Sequence, residues 1–196
     1  MIDASGPSFS HLGLFVTDLD RIVDFYTRVM GFFMTDRGYL GERRIAFLSR
    51  DPIEHHQIVF VEGRDVAREG RLLNQMSFRL GSLAELLAFI PKLEGEEASN
   101  LEPVIHGNSW SLYFRDPESN RVEVFADSEW YINQPIREIL DYKMGEDEIR
   151  RQTYEFCRTQ PGFKPIADWR RDMVALMAGT PAASVQAANR KMPISE

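Results

Sequence analysis

Cysteine is nearly absent from this sequence. Cys157 stands alone among 196 residues, which excludes an internal disulfide and a thiolate metal cluster. Long hydrophobic runs are missing too, the longest being Leu86 to Ile90 and Met173 to Ala178, far short of the roughly 20 residues that cross a bilayer. The opening MIDASGPSFS has neither a basic start nor an apolar stretch, so it does not read as a secretory leader and the expected location is cytoplasmic. Positive charge is scarce: 23 Lys+Arg face 30 Asp+Glu, for a formal net charge of −7. Without a basic stripe, such a chain is repelled by phosphate backbones and anionic lipid, so neither nucleic acid nor a membrane surface is an expected partner. Hydrophobic residues make up 43% of the chain, enough for one domain with a full core or two small modules packed together.

An internal repeat emerges when the sequence is shifted by 64 residues against itself, laying Ser10-His-Leu-Gly-Leu-Phe-Val-Thr-Asp-Leu19 over Asn74-Gln-Met-Ser-Phe-Arg-Leu-Gly-Ser-Leu83. Val23, Phe25, Val29 and Gly31 then fall over Leu87, Phe89, Leu93 and Gly95. In the first copy, His11 to Val16 is short and apolar, and Thr17-Asp18 supplies capping side chains. Leu19, Ile22, Val23, Tyr26 and Val29 follow at helical spacing, with Gly31 where a helix ends. Phe32 to Thr35, Glu42 to Ser49 and Gln57 to Glu62 read as strands separated by turn material, including Arg37-Gly38 and Asp51-Pro52. In the second copy the strand is Asn74 to Leu80 and the helix Ser82 to Lys92. Three strands follow: Glu102 to Ile105, Ser109 to Arg115 and Arg121 to Ala126, the last two joined by a turn at Asp116 to Asn120.

Each copy is therefore a βαβββ unit, and the fold class is α+β, with the two modules forming a curled mixed sheet around a shared cavity. The modules span about 8–63 and 73–127 within a domain of residues 1–127. Residues 128–179 form a helical extension with helices at Glu146 to Arg158 and Ile166 to Ala178, and 180–196 reads as a flexible tail. Trp130 and Tyr131 are expected to cover the mouth of the barrel. Trp130, Tyr131, Phe156, Phe163 and Trp169 need covering by the domain or by a second copy, which points to a homodimer.

The four histidines, His11, His55, His56 and His106, all lie in the repeated region, and His11 and Gln75 hold the same place in the two first strands. Glu123 sits in mid-strand between Val122 and Val124, where an unpaired carboxylate is costly and a cation should face it. Laying Val59-Phe60 over Val124-Phe125 puts Ile58 over Glu123 and His56 two residues earlier on that face, with His55 pointing away. Each residue also has an ordinary reading: a core histidine, a surface neighbour, a core aromatic at Tyr113, a buried amide at Gln75.

The strings SHLGLFVTDLDRIVDFYTRVMGF, HHQIVF, LNQMSFRLGSL and SWSLYFRDPESNRVEVF resemble the vicinal oxygen chelate superfamily over about residues 8–127. That superfamily contains glyoxalases, antibiotic-resistance proteins and type I extradiol dioxygenases, and the catalytic domain of the dioxygenases is the nearest likeness. The resemblance implies a metal held by His11, Gln75 and Glu123, an acid/base at His56, a hydroxyl at Tyr113 and a substrate-side imidazole at His106. It implies Fe(II), with Mn(II) or another divalent metal as the alternative, and a small aromatic diol and O₂ as reactants. Gln75 departs from the dioxygenase pattern, which has a second histidine there; some glyoxalases of the superfamily use a glutamine. A metal-dependent lyase or isomerase of the glyoxalase kind and a non-catalytic small-molecule binder are therefore the other readings.

Overall fold

The structure is a computed structural model that describes residues 9–65 and 73–177. The expected tail at 180–196 lies outside the described residues. The first module runs β1 (Leu12–Val16), α1 (Leu19–Arg28), β2 (Phe33–Leu40), β3 (Arg43–Ser49), β4 (Ile58–Glu62). The second runs β5 (Met76–Leu80), α2 (Leu83–Phe89), β6 (Ser99–Ile105), β7 (Ser109–Arg115), β8 (Arg121–Asp127). Capping side chains set both helix starts: Asp18 accepts from the Arg21 N–H and Ser82 from the Glu85 N–H. Gly31, at φ 71°, turns the chain out of α1. Pro91 follows α2 within a 3₁₀ turn over Ile90–Leu93.

The strands form two mixed sheets rather than one continuous sheet, in the orders β1-β4-β3-β2 and, with the later strand β10 (Glu138–Ile139) added, β10-β6-β7-β8-β5. In each, the first strand of the module runs parallel to the last, and the remaining pairs are antiparallel. One turn is displaced from its expected place. Arg37-Gly38 lies inside β2, with Gly38 opposite Ile45, and the reversal occurs at Gly41, whose φ of 63° suits it. The even-numbered residues Leu112, Phe114, Val122 and Val124 join Ala46, Leu48, Ile58 and Phe60 in one core with Leu19, Ile22, Leu83 and Leu86 from the helices. Odd-numbered residues of β7 and β8 therefore face the other way.

The modules are tied at several points. Tyr26 of α1 lies edge-on to Phe78 of β5 and donates its hydroxyl to Asp116 in the β7–β8 turn. Glu118 in that turn accepts from the backbone N–H groups of Thr17 and Asp18 and from the Thr17 hydroxyl.

The extension consists of β9 (Trp130–Tyr131), β10, α3 (Glu146–Cys157), β11 (Lys164–Pro165) and α4 (Ile166–Met177). It is part of the core: Ile132, Leu140, Ile149 and Cys157 are buried, and Trp110 of β7 donates its indole N–H to Thr153 of α3. Trp130 packs on Tyr154 and Phe163, and Tyr131 stacks on Trp169. These aromatics pack among the extension's own elements. None of the described helices is long and apolar enough to cross a membrane.

Candidate functional site

Across the face of the second sheet opposite its helix, pairing aligns Glu102, Tyr113, Glu123 and Ser77 in one row, since each stands directly opposite the next. Glu123 is buried, at 7% exposure. Its Oε2 accepts from the Gln75 amide at 3.0 Å and the Ser77 hydroxyl at 2.6 Å, both neutral donors. A buried carboxylate met by neutral groups is costly without a cation, and the nearest candidate here is His106, whose Nε2 lies 3.8 Å from Oε1.

Beside this pair stands a second one. His106 Nε2 is 2.9 Å from the Tyr113 hydroxyl, and its Nδ1 is 2.5 Å from the carbonyl oxygen of Ile136 in the extension. A carbonyl can only accept, so Nδ1 carries a proton directed at Ile136, and Nε2 is left facing the Tyr113 hydroxyl. Gln134 fixes this contact from both sides, donating to the His106 carbonyl at 2.7 Å and accepting from the Ile136 N–H at 3.0 Å. Burial, reinforced by Glu123, pushes the Tyr113 phenol up to about 12. It is therefore a hydroxyl donor at neutral pH.

The first module supplies a different surface. Gly13 stands opposite Val59 as Ser77 stands opposite Glu123, so Val59 holds the place of Glu123. Phe47, opposite Val59, holds the place of Tyr113. The alignment that set Ile58 over Glu123 is thus one residue out: Ile58 is in the core. His55 and His56 precede β4 and do not alternate as strand residues would. Both rings touch Phe47, their Nδ1 atoms are 2.9 Å apart, and His11 lies edge-on to His56 with ring centroids 4.3 Å apart. Burial lowers the His56 pKa from its ordinary 6.5, with His11 and His55 adding repulsion and Glu54 opposing, which favours the neutral ring.

The six residues read from the sequence therefore fall into two groups. Gln75, Glu123, His106 and Tyr113 form one connected cluster, and His11 and His56 form the other. Among the described residues no three His, Cys, Asp or Glu side chains converge as a metal-holding group. A cavity of about 730 Å³ is lined by Ser10 and Leu12 at the start of β1 and by Gln75, Met76 and Ser77 at the start of β5, so the two edge strands flank one space that Gln75 lines and His11 does not. Glu123 and Tyr113 are not in its lining. The donor chemistry suits a divalent cation: a buried carboxylate lacking a close counter-charge, an amide already in contact with it, and an imidazole at the position equivalent to that amide. Oxygen-rich sets with one imidazole favour hard or borderline ions such as Fe(II) and Mn(II). Ser77 went unnoticed in the sequence, although its spacing of two from Gln75 on one strand face was a usable signal. Gln134 and Ile136 lie in irregular chain, where no pattern marks them.

A paired βαβββ fold thus brings an acidic, an amide and an imidazole side chain together on one face of the second sheet. The profile of the Glyoxalase/Bleomycin resistance protein/Dioxygenase superfamily matches residues 8–124, and the chain belongs to that superfamily. Among its relatives is biphenyl-2,3-diol 1,2-dioxygenase 2 of Rhodococcus globerulus, 26% identical over 127 residues, an alignment spanning 62% of this chain and 64% of that enzyme's length. Biphenyl-2,3-diol 1,2-dioxygenase 3 of the same organism is 27% identical over 168 residues, covering 82% of this chain and 80% of its own. A solved structure of a glyoxylase/bleomycin resistance protein/dioxygenase domain from Frankia sp. EAN1pec superposes with a TM-score of 0.54 at 26% identity, covering 64% of this chain and 95% of that domain.

Proposed function

We propose that the protein is a non-haem Fe(II)-dependent extradiol ring-cleaving dioxygenase acting on a catechol-like diol. The observation that carries this reading is the half-buried Gln75–Glu123 pair standing beside the His106–Tyr113 pair. The distant likeness to two biphenyl-2,3-diol dioxygenases supports it. His11, Gln75 and Glu123 would hold the ion, Gln75 turning its amide so that the oxygen faces the metal. When bound, Fe(II) would supply the site where a vicinal diol and O₂ meet.

The side chains have separable tasks. His56, neutral through burial, removes a proton from a diol hydroxyl. Tyr113 donates its hydroxyl hydrogen bond to a substrate oxygen when it turns from His106, and its raised pKa keeps that proton available. His106, held by Ile136, orients the diol and receives Tyr113 when the site is empty of substrate. Phe47 and Val59 offer an apolar wall for an aromatic ring, as their pairing places them on one face.

Loading with Fe(II) under anaerobic conditions, followed by oxygen-electrode assays on a catechol panel, tests the proposal. Oxygen uptake with a yellow ring-opened product is expected. Gln75 favours the second reading, a glyoxalase-type lyase or isomerase, because an amide ligand suits that branch; activity without oxygen uptake would select it. A homodimer belongs to the same proposal. The edge strand β2 leaves Phe33 and Tyr39 exposed, and sedimentation equilibrium would read two copies per particle.

A further inference from the structure

The face that carries Glu123 and Tyr113 also carries two arginines without close carboxylates. Arg121 lies two residues before Glu123 on β8, and Arg115 lies directly opposite it on β7. Like charges directly opposed across a sheet are destabilising, so their pairing here calls for an anion. Among the described residues, the nearest carboxylate to Arg121 is Glu102 at 3.9 Å, and that oxygen is already hydrogen-bonded by Arg137 at 2.6 Å. Arg115 donates to the Ser119 carbonyl at 3.2 Å. Many other arginines of the fold are matched closely, as Arg79 is with Asp127 at 3.1 Å, while Arg50 meets the Met30 carbonyl and Arg43 the Phe15 ring.

Arg121 is also built into the site. Its side chain is 27% exposed, and its guanidinium carbon lies 4.2 Å from the centroid of the Tyr113 ring. Stacking holds the guanidinium plane and leaves its edge donors free for a planar anion. Two residues along a strand span about 7 Å, the scale of an aromatic ring measured from a hydroxyl at Glu123 to a substituent at Arg121. In a chain of net charge −7, anion recognition needs a local device of this kind.

We infer that the substrate is a diol bearing a carboxylate, with Arg121 receiving the carboxylate and Arg115 adding positive potential. This rests on the dioxygenase reading for the diol and on the arginine pair for the anion, and the two are measured separately. Calorimetric binding to the protein as purified compares benzoate with phenol, and dihydroxybenzoates with catechol and methylcatechol. The carboxylated members should bind at least about 10-fold more tightly, the value of one charge-assisted hydrogen bond. Arg121→Gln should erase that preference, and Arg121→Lys should restore part of it, with unchanged melting temperatures showing that the fold survives. If Arg121→Gln does not fold, the preference of the wild-type protein and its loss in Arg115→Gln decide the matter. Equal binding of neutral and carboxylated ligands, or a preference that persists in Arg121→Gln, would overturn the inference. Oxygen uptake on neutral catechols with no preference sinks the anion site and leaves the dioxygenase, whereas selective carboxylate binding with no uptake does the reverse.

Discussion

The imidazole of His106 donates through Nδ1 to the carbonyl of Ile136, so a residue of the βαβββ core takes its orientation from the C-terminal extension. Gln134 bridges the backbone of both partners. Gln134→Ala should loosen the ring and slow turnover about fivefold, the effect of one ordinary hydrogen bond. NMR shifts of the His106 ring nitrogens should show a single Nδ1–H tautomer in the parent and a mixture in the variant. Identical spectra would show that Ile136 alone suffices.

Metal binding separates the two groups of site residues. Glu123→Ala and His11→Ala should each lose Fe(II), and Gln75→His should bind it more tightly because imidazole is the better donor. Elemental analysis after anaerobic loading reads all three. Stoichiometric iron in both alanine variants would remove the assignment.

His56→Ala should lower catechol turnover by about 10²–10⁴-fold, the usual contribution of a general base, while iron content stays constant. His55→Ala should have a small effect, since that ring is exposed and meets the site only at its rim, against Phe47 and His56. Comparable losses in the two variants would mean that the pair works as one unit.

Thr153 accepts from the Trp110 indole at 2.8 Å and is fully buried. Thr153→Val leaves that N–H without a partner at nearly unchanged volume and should cost about 1–3 kcal/mol. Urea unfolding measures it, and a loss under about 0.5 kcal/mol would show that water replaces the hydroxyl.

Burial pushes the Cys157 thiol up to about 11 and closes it from solvent. Folded protein should therefore resist thiol reagents near pH 8, where almost none of the thiolate exists, and unfolded protein should react at once. Rapid labelling of the folded chain would show α3 opening readily from the Gly107 carbonyl that faces the sulfur.

The repeat made the fold legible, because a shift of 64 residues relates β1 to β5 and His11 to Gln75. That shift also carries Glu123 to Val59, which the pairing bears out; aligning two short apolar strings instead displaced the register by one. The alternation rule holds only within a ladder, and His55 and His56 stand before β4, so both could turn toward Phe47. Arg37-Gly38 carried a turn signal, yet sheet pairing overrode it and Gly41 made the turn. The link from His106 to Ile136 had no sequence signature because its acceptor is a backbone carbonyl, which every residue possesses.

Glu118 sets the order in which the chain can complete itself. Its carboxylate closes the entry to α1 by receiving the Thr17 and Asp18 N–H groups across about a hundred positions of sequence, at 2.9 and 2.8 Å. Asp18 caps α1 locally, but the Thr17 and Asp18 N–H groups at its approach gain this partner only when the turn of the last hairpin has formed. Such distant closures raise contact order and slow folding. The two copies, though each is a complete βαβββ unit by sequence, should form and melt in one kinetic step, and a gene encoding the first half alone should give a chain that lacks the carboxylate received at the approach to its helix.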